Sequence, residues 1–268
     1  MGIRKKIRYP AYLEEKYDFP EFYRLWISYP RPQIDDLEAA VKAAVVPQLE
    51  KIPLKDGDRV CIGVGSRGIS NISEIVTRVC AEIKKVGGQP FIIPAMGSHG
   101  GGTPGGQQKI LKSMGVTEEK CGCPVISSVD VRQIGTVFDE VPVHYAKEAL
   151  VVEHSICINR IKPHTKFKGA VESGVMKMLC IGMGKHQGAL SYHTWALKYG
   201  FYQLLAEMGQ AFSQKSNFRF GIGIVENAYD ETMLIQGLGA DELILKEEAL
   251  LKTAKENMAR LPVKAADV

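Results

Sequence analysis

The chain has 268 residues, a net charge of +4, 45% apolar and 24% charged residues, the values of an ordinary globular protein with room for a sizeable core. No apolar run approaches the roughly 20 residues of a membrane helix, and the basic start MGIRKKIRYPAYLEEKY runs into tyrosines, prolines and acids rather than a signal-peptide core. The mild charge, with no aromatic-basic stripe, argues against a nucleic-acid or membrane partner and suits a small anionic ligand; the chain reads as cytoplasmic.

Strand and helix patterns alternate from residue 59 onward. RVCIGVGS (59–66) is a short apolar strand ending in glycine and serine. NISEIVTRVCAEIKKVG (71–87) is an amphipathic helix with Asn71 as N-cap and a glycine stop. QPFIIPAMGS (89–98) predicts the next strand and GGQQKILKSMGV (105–116) the next helix. CPVISS (123–128), EHSICINR (153–160) and RFGIGIVEN (219–227) read as further strands, with one helix over about 192–212 before the last. This order predicts an α/β fold, a Rossmann-like parallel sheet with helices on both faces. The expected organisation is a catalytic domain over 1–240, a connecting helix over 241–263, and the start of a truncated C-terminal domain at 264–268.

The six cysteines do not suggest metal chemistry. Cys61, Cys80, Cys157 and Cys180 sit in apolar runs and read as buried thiols. Cys121-Gly-Cys123 is too tight for a zinc knuckle and has no second pair.

Ligands of such sheets gather at the C-terminal strand ends, where three polar loops fall: GSRGISN, GSHGGGTPGG and NRIKPHTKFKG. In the first, Ser66 and Arg67 offer a hydroxyl, a guanidinium and backbone amides before a helix start, an anion site. GVGSRG spells the dinucleotide fingerprint, but FIIPAMGS carries no acidic partner for a ribose. A dinucleotide-binding oxidoreductase is therefore a minor reading. His99 lies among small residues that leave its ring accessible, as an acid–base group requires. His164 follows another strand among lysines, including Lys166 and Lys168, which are read as either anion-binding or solvated. Lys177, between Val175-Met176 and Met178-Leu179, is either a partly desolvated amine fit for covalent chemistry or a snorkelling helix-edge lysine. His193 is either a ring packed on Trp195 or a metal ligand.

Taken together, these motifs resemble the lactate racemase family, whose members carry a nickel-pincer nucleotide. Ser173-Gly174-Val175-Met176-Lys177 is similar to the family's S-G-G-x-K, and His193 follows Lys177 by sixteen residues, as in the family. Gly97-Ser98-His99 matches its G-[ST]-H, Arg67 its upstream arginine loop, and His164 its upstream histidine. Val175 replaces the second glycine, and G-S-R-G stands where the lactate enzymes have D-x-T-R-P.

The resemblance implies a racemase or epimerase of a 2-hydroxy acid, working by hydride transfer to the cofactor with His99 and His164 as two bases. It further implies the pincer nucleotide (a pyridinium-3-thioamide-5-thiocarboxylic acid mononucleotide) joined covalently to Lys177, with Ser173 and Gly174 beside it. Nickel would be held on His193, and the substrate by Arg67 and Ser66. Cofactor-biosynthesis proteins are the implied loading partners. A cofactor carrier without turnover is the alternative. The family's C-terminal domain, which adds a lysine over the site, is expected to be missing from these residues.

Overall fold

The computed structural model describes residues 24–66, 68–165 and 167–263. Tyr29–Ala259 form one compact unit. The described residues outside it, 24–28 and 260–263, contain no helix or strand. The start of a further domain expected at 264–268 lies outside the described residues.

After helix α1 (Leu37–Leu49) comes the unit β1 (Arg59–Val64), α2 (Ile72–Lys85), β2 (Gln89–Pro94), α3 (Pro104–Ser113) and the one-turn α4 (Glu118–Cys121). An antiparallel hairpin of β3 (Val131–Val137) and β4 (Val141–Ala146) follows, then the short α5 (Lys147–Leu150) and β5 (His154–Arg160). The second half holds α6 (Val175–Lys177) running into a π-helical stretch (Met178–Met183), then α7 (Lys185–Tyr199) and α8 (Phe201–Lys215). Strands β6 (Phe218–Glu226) and β7 (Thr232–Gly239) and helix α9 (Leu243–Asn257) complete it. The sheet order is β2-β1-β5-β6-β7, with the first four strands parallel and β7 antiparallel to β6.

Period-two alternation divides the sheet's two faces. Val60, Ile62 and Val64 point into a core with Val41 and Val45 of α1 and Ile75, Val76 and Val79 of α2. Cys61 and Cys157 point the other way, into a core with Leu179, Leu205, Phe212 and Leu251. Both faces are thus covered, as a mostly parallel sheet requires. All six cysteines are buried free thiols.

Several elements differ from the sequence expectation for identifiable reasons. Residues 123–128 do not form a strand: only Val125 bridges Ile92, because the Val-Ile pair is hemmed between Pro124 and two serines. The single helix expected over 192–212 is two helices, broken at Gly200, whose φ of 82° is in the left-handed region. Asn71 occupies the N-cap of α2 but makes no capping bond; its side chain instead donates to Thr232 Oγ1 at 3.2 Å. The last helix ends at Asn257, before Pro262, and buries Leu243, Glu247, Leu250, Leu251 and Ala254.

Candidate functional site

β1 neighbours β2 on one side and β5 on the other, so the chain leaves β1 at a switch point, where a crevice opens beyond the strand ends. A cavity of about 260 Å³ lies there. Ser66 follows β1 into it, Ser98 and His99 follow β2, and Asn159, Arg160 and Lys162 come from the end of β5. Ser173, Lys177 and Met178 form a further wall, and His193 reaches it from α7. The three loops singled out in the sequence therefore meet.

The His99 side is tightly constructed. Gly97 has φ 60°, and a Cβ there would stand 2.9 Å from Ile181 Cγ2, so glycine lets the chain turn hard against the π-helical stretch. Gln107, fully buried, donates to Gly97 O at 2.8 Å and to His99 O at 3.3 Å. Ser66 Oγ lies 2.5 Å from His99 Nδ1. That contact orients the ring and couples its tautomer to the hydroxyl's rotor. Ser66, expected at the substrate, touches the His99 ring.

Lys177 sits where the α turn passes into the π-helical stretch, a winding frequent at functional sites. Its half-buried amine lies 5.9 Å from the Phe167 ring centroid. Burial, and then the charge of Lys162, push its pKa below the ordinary lysine value. Lys162 is fixed by reciprocal backbone bonds with Ser173, N to O at 2.8 and 3.2 Å. Asn159 Nδ2 donates to Gly174 O at 3.0 Å, tying β5 to the turn that carries Lys177. Arg160 pairs with Glu226 and donates to Gly68 O at 2.7 Å and Asp230 at 3.0 Å. The ionisable lining of the cavity is thus Arg160, Lys162, Lys177, His99 and His193, with no carboxylate among the described residues.

Gly174 is buried and is not among the lining residues; its Cα faces the Glu247 carboxylate. Val175, the departure from S-G-G, packs where Gly221 of β6 leaves room: a Cβ on Gly221 would stand 2.4 Å from Val175 Cγ1.

His164 is half-buried and is likewise not among the lining residues. Its ring lies 4.3 Å from that of Phe167, centroid to centroid, on the same aromatic that meets Lys177. Its loop is held by Glu172, which accepts from His164 N at 2.6 Å, Gly169 N at 3.3 Å and Lys255 Nζ at 2.6 Å. Burial raises the Glu172 pKa, but Lys255 and the two amides outweigh it and hold it low. His193 is exposed on α7 and stands edge-on to Tyr192 at 5.5 Å. Arg67 and Lys166 lie outside the described residues, and the exposed Lys168 is not in the cavity wall.

Sequence reading missed Asn159, Arg160 and Lys162 as wall residues, although they adjoin the loop it chose. It also missed Glu172, which joins nearby amides to the distant Lys255, and Glu247, whose contact with Met176 lies far along the chain. Among the described residues no group of three His, Cys, Asp or Glu side chains could hold a metal ion, and no helix is long and apolar enough to cross a membrane.

The fold and site define an α/β protein with a basic cavity at its sheet's switch point. No protein-family model and no curated protein matches the chain. Among solved structures, the lactate racemase apoprotein from Thermoanaerobacterium thermosaccharolyticum is similar in fold, with a TM-score of 0.60 and 17% identity. The match covers 82% of this chain and 55% of the other, so the chain spans about half the length of that neighbour.

Proposed function

We propose that the protein is a racemase or epimerase of a small 2-hydroxy acid that uses a nickel-pincer nucleotide fixed on Lys177. The observation that carries this reading is one cavity lined by a half-buried amine, two histidines and no carboxylate among the described residues. A primary amine with a lowered pKa is the group a thioamide tether consumes. The donor set fits the group as well. A pincer brings its own sulfur donors, so a single imidazole, His193, is what it asks of the protein. The basic wall suits a mononucleotide phosphate and a substrate carboxylate. The fold shared with a lactate racemase apoprotein agrees with the assignment.

Bound there, the cofactor would supply a hydride-accepting ring. The chain's own residues do the remaining work. Lys177 provides the attachment, with Ser173 beside it in the wall. His99 takes the hydroxyl proton of one enantiomer and returns it for the other, its ring steadied through Nδ1 by Ser66. His164 is assigned the second base, supported by its ring packing on Phe167, the same ring that the Lys177 amine approaches, and by Glu172 accepting from its backbone amide. Arg67 is assigned the substrate carboxylate. Proteins that make the cofactor are the expected loading partners.

The test is turnover by cofactor-loaded protein on a panel of 2-hydroxy acids. His99→Ala should slow racemisation by about 10²–10⁴-fold in both directions. Loaded wild-type protein that racemises nothing in the panel makes the chain a carrier. A His99→Ala protein with near-normal turnover removes His99 from the mechanism.

A further inference from the structure

Glu247 is a carboxylate in the wrong place for an ordinary acid. It projects from α9 into the apolar core with no exposure, among Leu243, Leu250 and Leu251. Oε2 accepts from Met176 N at 2.9 Å, the residue before Lys177. Oε1 is buried without a hydrogen-bond partner among the described residues. A buried acid with one bare oxygen costs stability, so its retention asks for a reason.

The reason lies in what it touches. The turn that carries Lys177 starts at Gly174, whose side chain cannot cap it. The Glu247 carboxyl supplies the missing acceptor from a different helix. It fills the space over Gly174: a Cβ there would meet Oε1 at 2.1 Å and Cδ at 2.5 Å. Gly174 is thus glycine because the carboxyl group occupies the volume a methyl would need.

We propose that Glu247 is a positioning residue for Lys177: from α9 it caps the turn opening at Gly174 and holds the lysine amine in the wall of the cavity. This rests on the reading that Lys177 is the working amine. Burial pushes the Glu247 pKa up to about 7, with the Met176 and Val175 amides opposing, so the carboxyl is largely uncharged below neutrality. A neutral carboxyl still accepts the amide bond, and so does a glutamine. The other titratable groups near Glu247 are the thiols of Cys157 and Cys180. Those near Lys177 are Lys162, His164 on the other side of the shared Phe167 contact, and, across the cavity, His99, His193 and Arg160.

The experiment is a ¹³Cε-lysine NMR titration of the apo-protein, with Lys177 and Lys185 assigned by Lys→Arg substitution. Lys185 is the internal reference. It is buried on the same stretch of chain, donates to Pro94 O at 2.7 Å, and is held by burial at about 8. In Glu247→Ala the uncapped turn opens to water and the Lys177 midpoint should rise towards the ordinary lysine value, while Lys185 stays put. Gly174→Ala, whose methyl displaces the carboxyl, should produce the same rise with no substitution in α9. Glu247→Gln should keep the wild-type midpoint. An unmoved Lys177 midpoint in folded Glu247→Ala or Gly174→Ala overturns the proposal. So does a joint shift of Lys177 and Lys185, which would mean general loosening. No cofactor enters this measurement, so a selective Lys177 shift in a protein that never acquires an adduct would sink the cofactor reading and leave the positioning role standing.

Discussion

Gly221→Ala probes why this chain carries valine where the racemase pattern has its second glycine. Gly221 lies in β6, between β5 and β7. The added methyl would stand 2.4 Å from Val175 Cγ1, 3.0 Å from Cγ2 and 3.2 Å from Cβ, against a favourable carbon–carbon separation of about 3.5–4.0 Å. Val175 is fully buried, so relief requires the turn bearing Lys177 to move. Overpacking of this kind costs about 1–3 kcal/mol. Val175→Ala alone should cost about 2–3 kcal/mol, from two lost methyls and the space they leave. In the double variant the two Cγ atoms are gone and the nearest contact is the 3.2 Å one. Gly221→Ala should then be close to neutral. Urea unfolding of the four proteins, read as midpoint shifts at constant slope, should give a coupling of about 1–3 kcal/mol. Costs that add within about 0.5 kcal/mol would refute the claim that Val175 and Gly221 are a matched pair.

Three further outcomes follow from the site. His193→Ala in a cofactor-producing host should lose nickel, read by metal analysis, yet keep the organic adduct on Lys177, because the tether does not depend on the imidazole; unchanged nickel makes His193 a surface ring. Glu247 has a folded pKa above its unfolded value, so the folded state binds the extra proton between about pH 4.5 and 7 and its stability falls as pH rises through that window. The contribution is of order 3 kcal/mol, and Glu247→Gln should remove that part of the slope from a series of urea curves. Glu172 runs the other way: its folded pKa is depressed, so its stabilisation is present above the unfolded value and lost as pH falls through the folded one. Lys255→Met should remove much of that acid-side loss, and an unchanged curve would mean the Lys255–Glu172 pair does not anchor the His164 loop.

The sequence made the central strands legible because β1, β2, β5 and β6 are short apolar runs with glycine or polar residues at their ends. It also located the three loops, since βα connections at strand ends are where glycine, serine and histidine cluster. The hairpin β3–β4 was missed: β3 mixes exposed and half-buried positions without strict alternation and buries only Val137. α1 and β7 were missed as well, and β7 is the antiparallel strand of the five-stranded sheet, which strand–helix alternation cannot anticipate. Within the site, His99, Lys177 and His193 could be chosen by residue type and neighbours. Glu247 could not, because a glutamate between Lys246 and Glu248 in DELILKEEALLK looks like part of a solvated helix face. Its role exists only once the fold brings Glu247 to Met176, 71 positions earlier, and to Gly174 beside it. Val175 looked like a defect in a motif until Gly221 supplied its partner.

Intact-mass and nickel analysis of the full chain, purified from a host that makes the pincer nucleotide, tests the central claim most directly. The account predicts one adduct of the cofactor's mass, mapped by peptide analysis to Lys177, with about one nickel per chain and neither in Lys177→Ala. A wild-type protein of unmodified mass, or an adduct that survives Lys177→Ala, would contradict it.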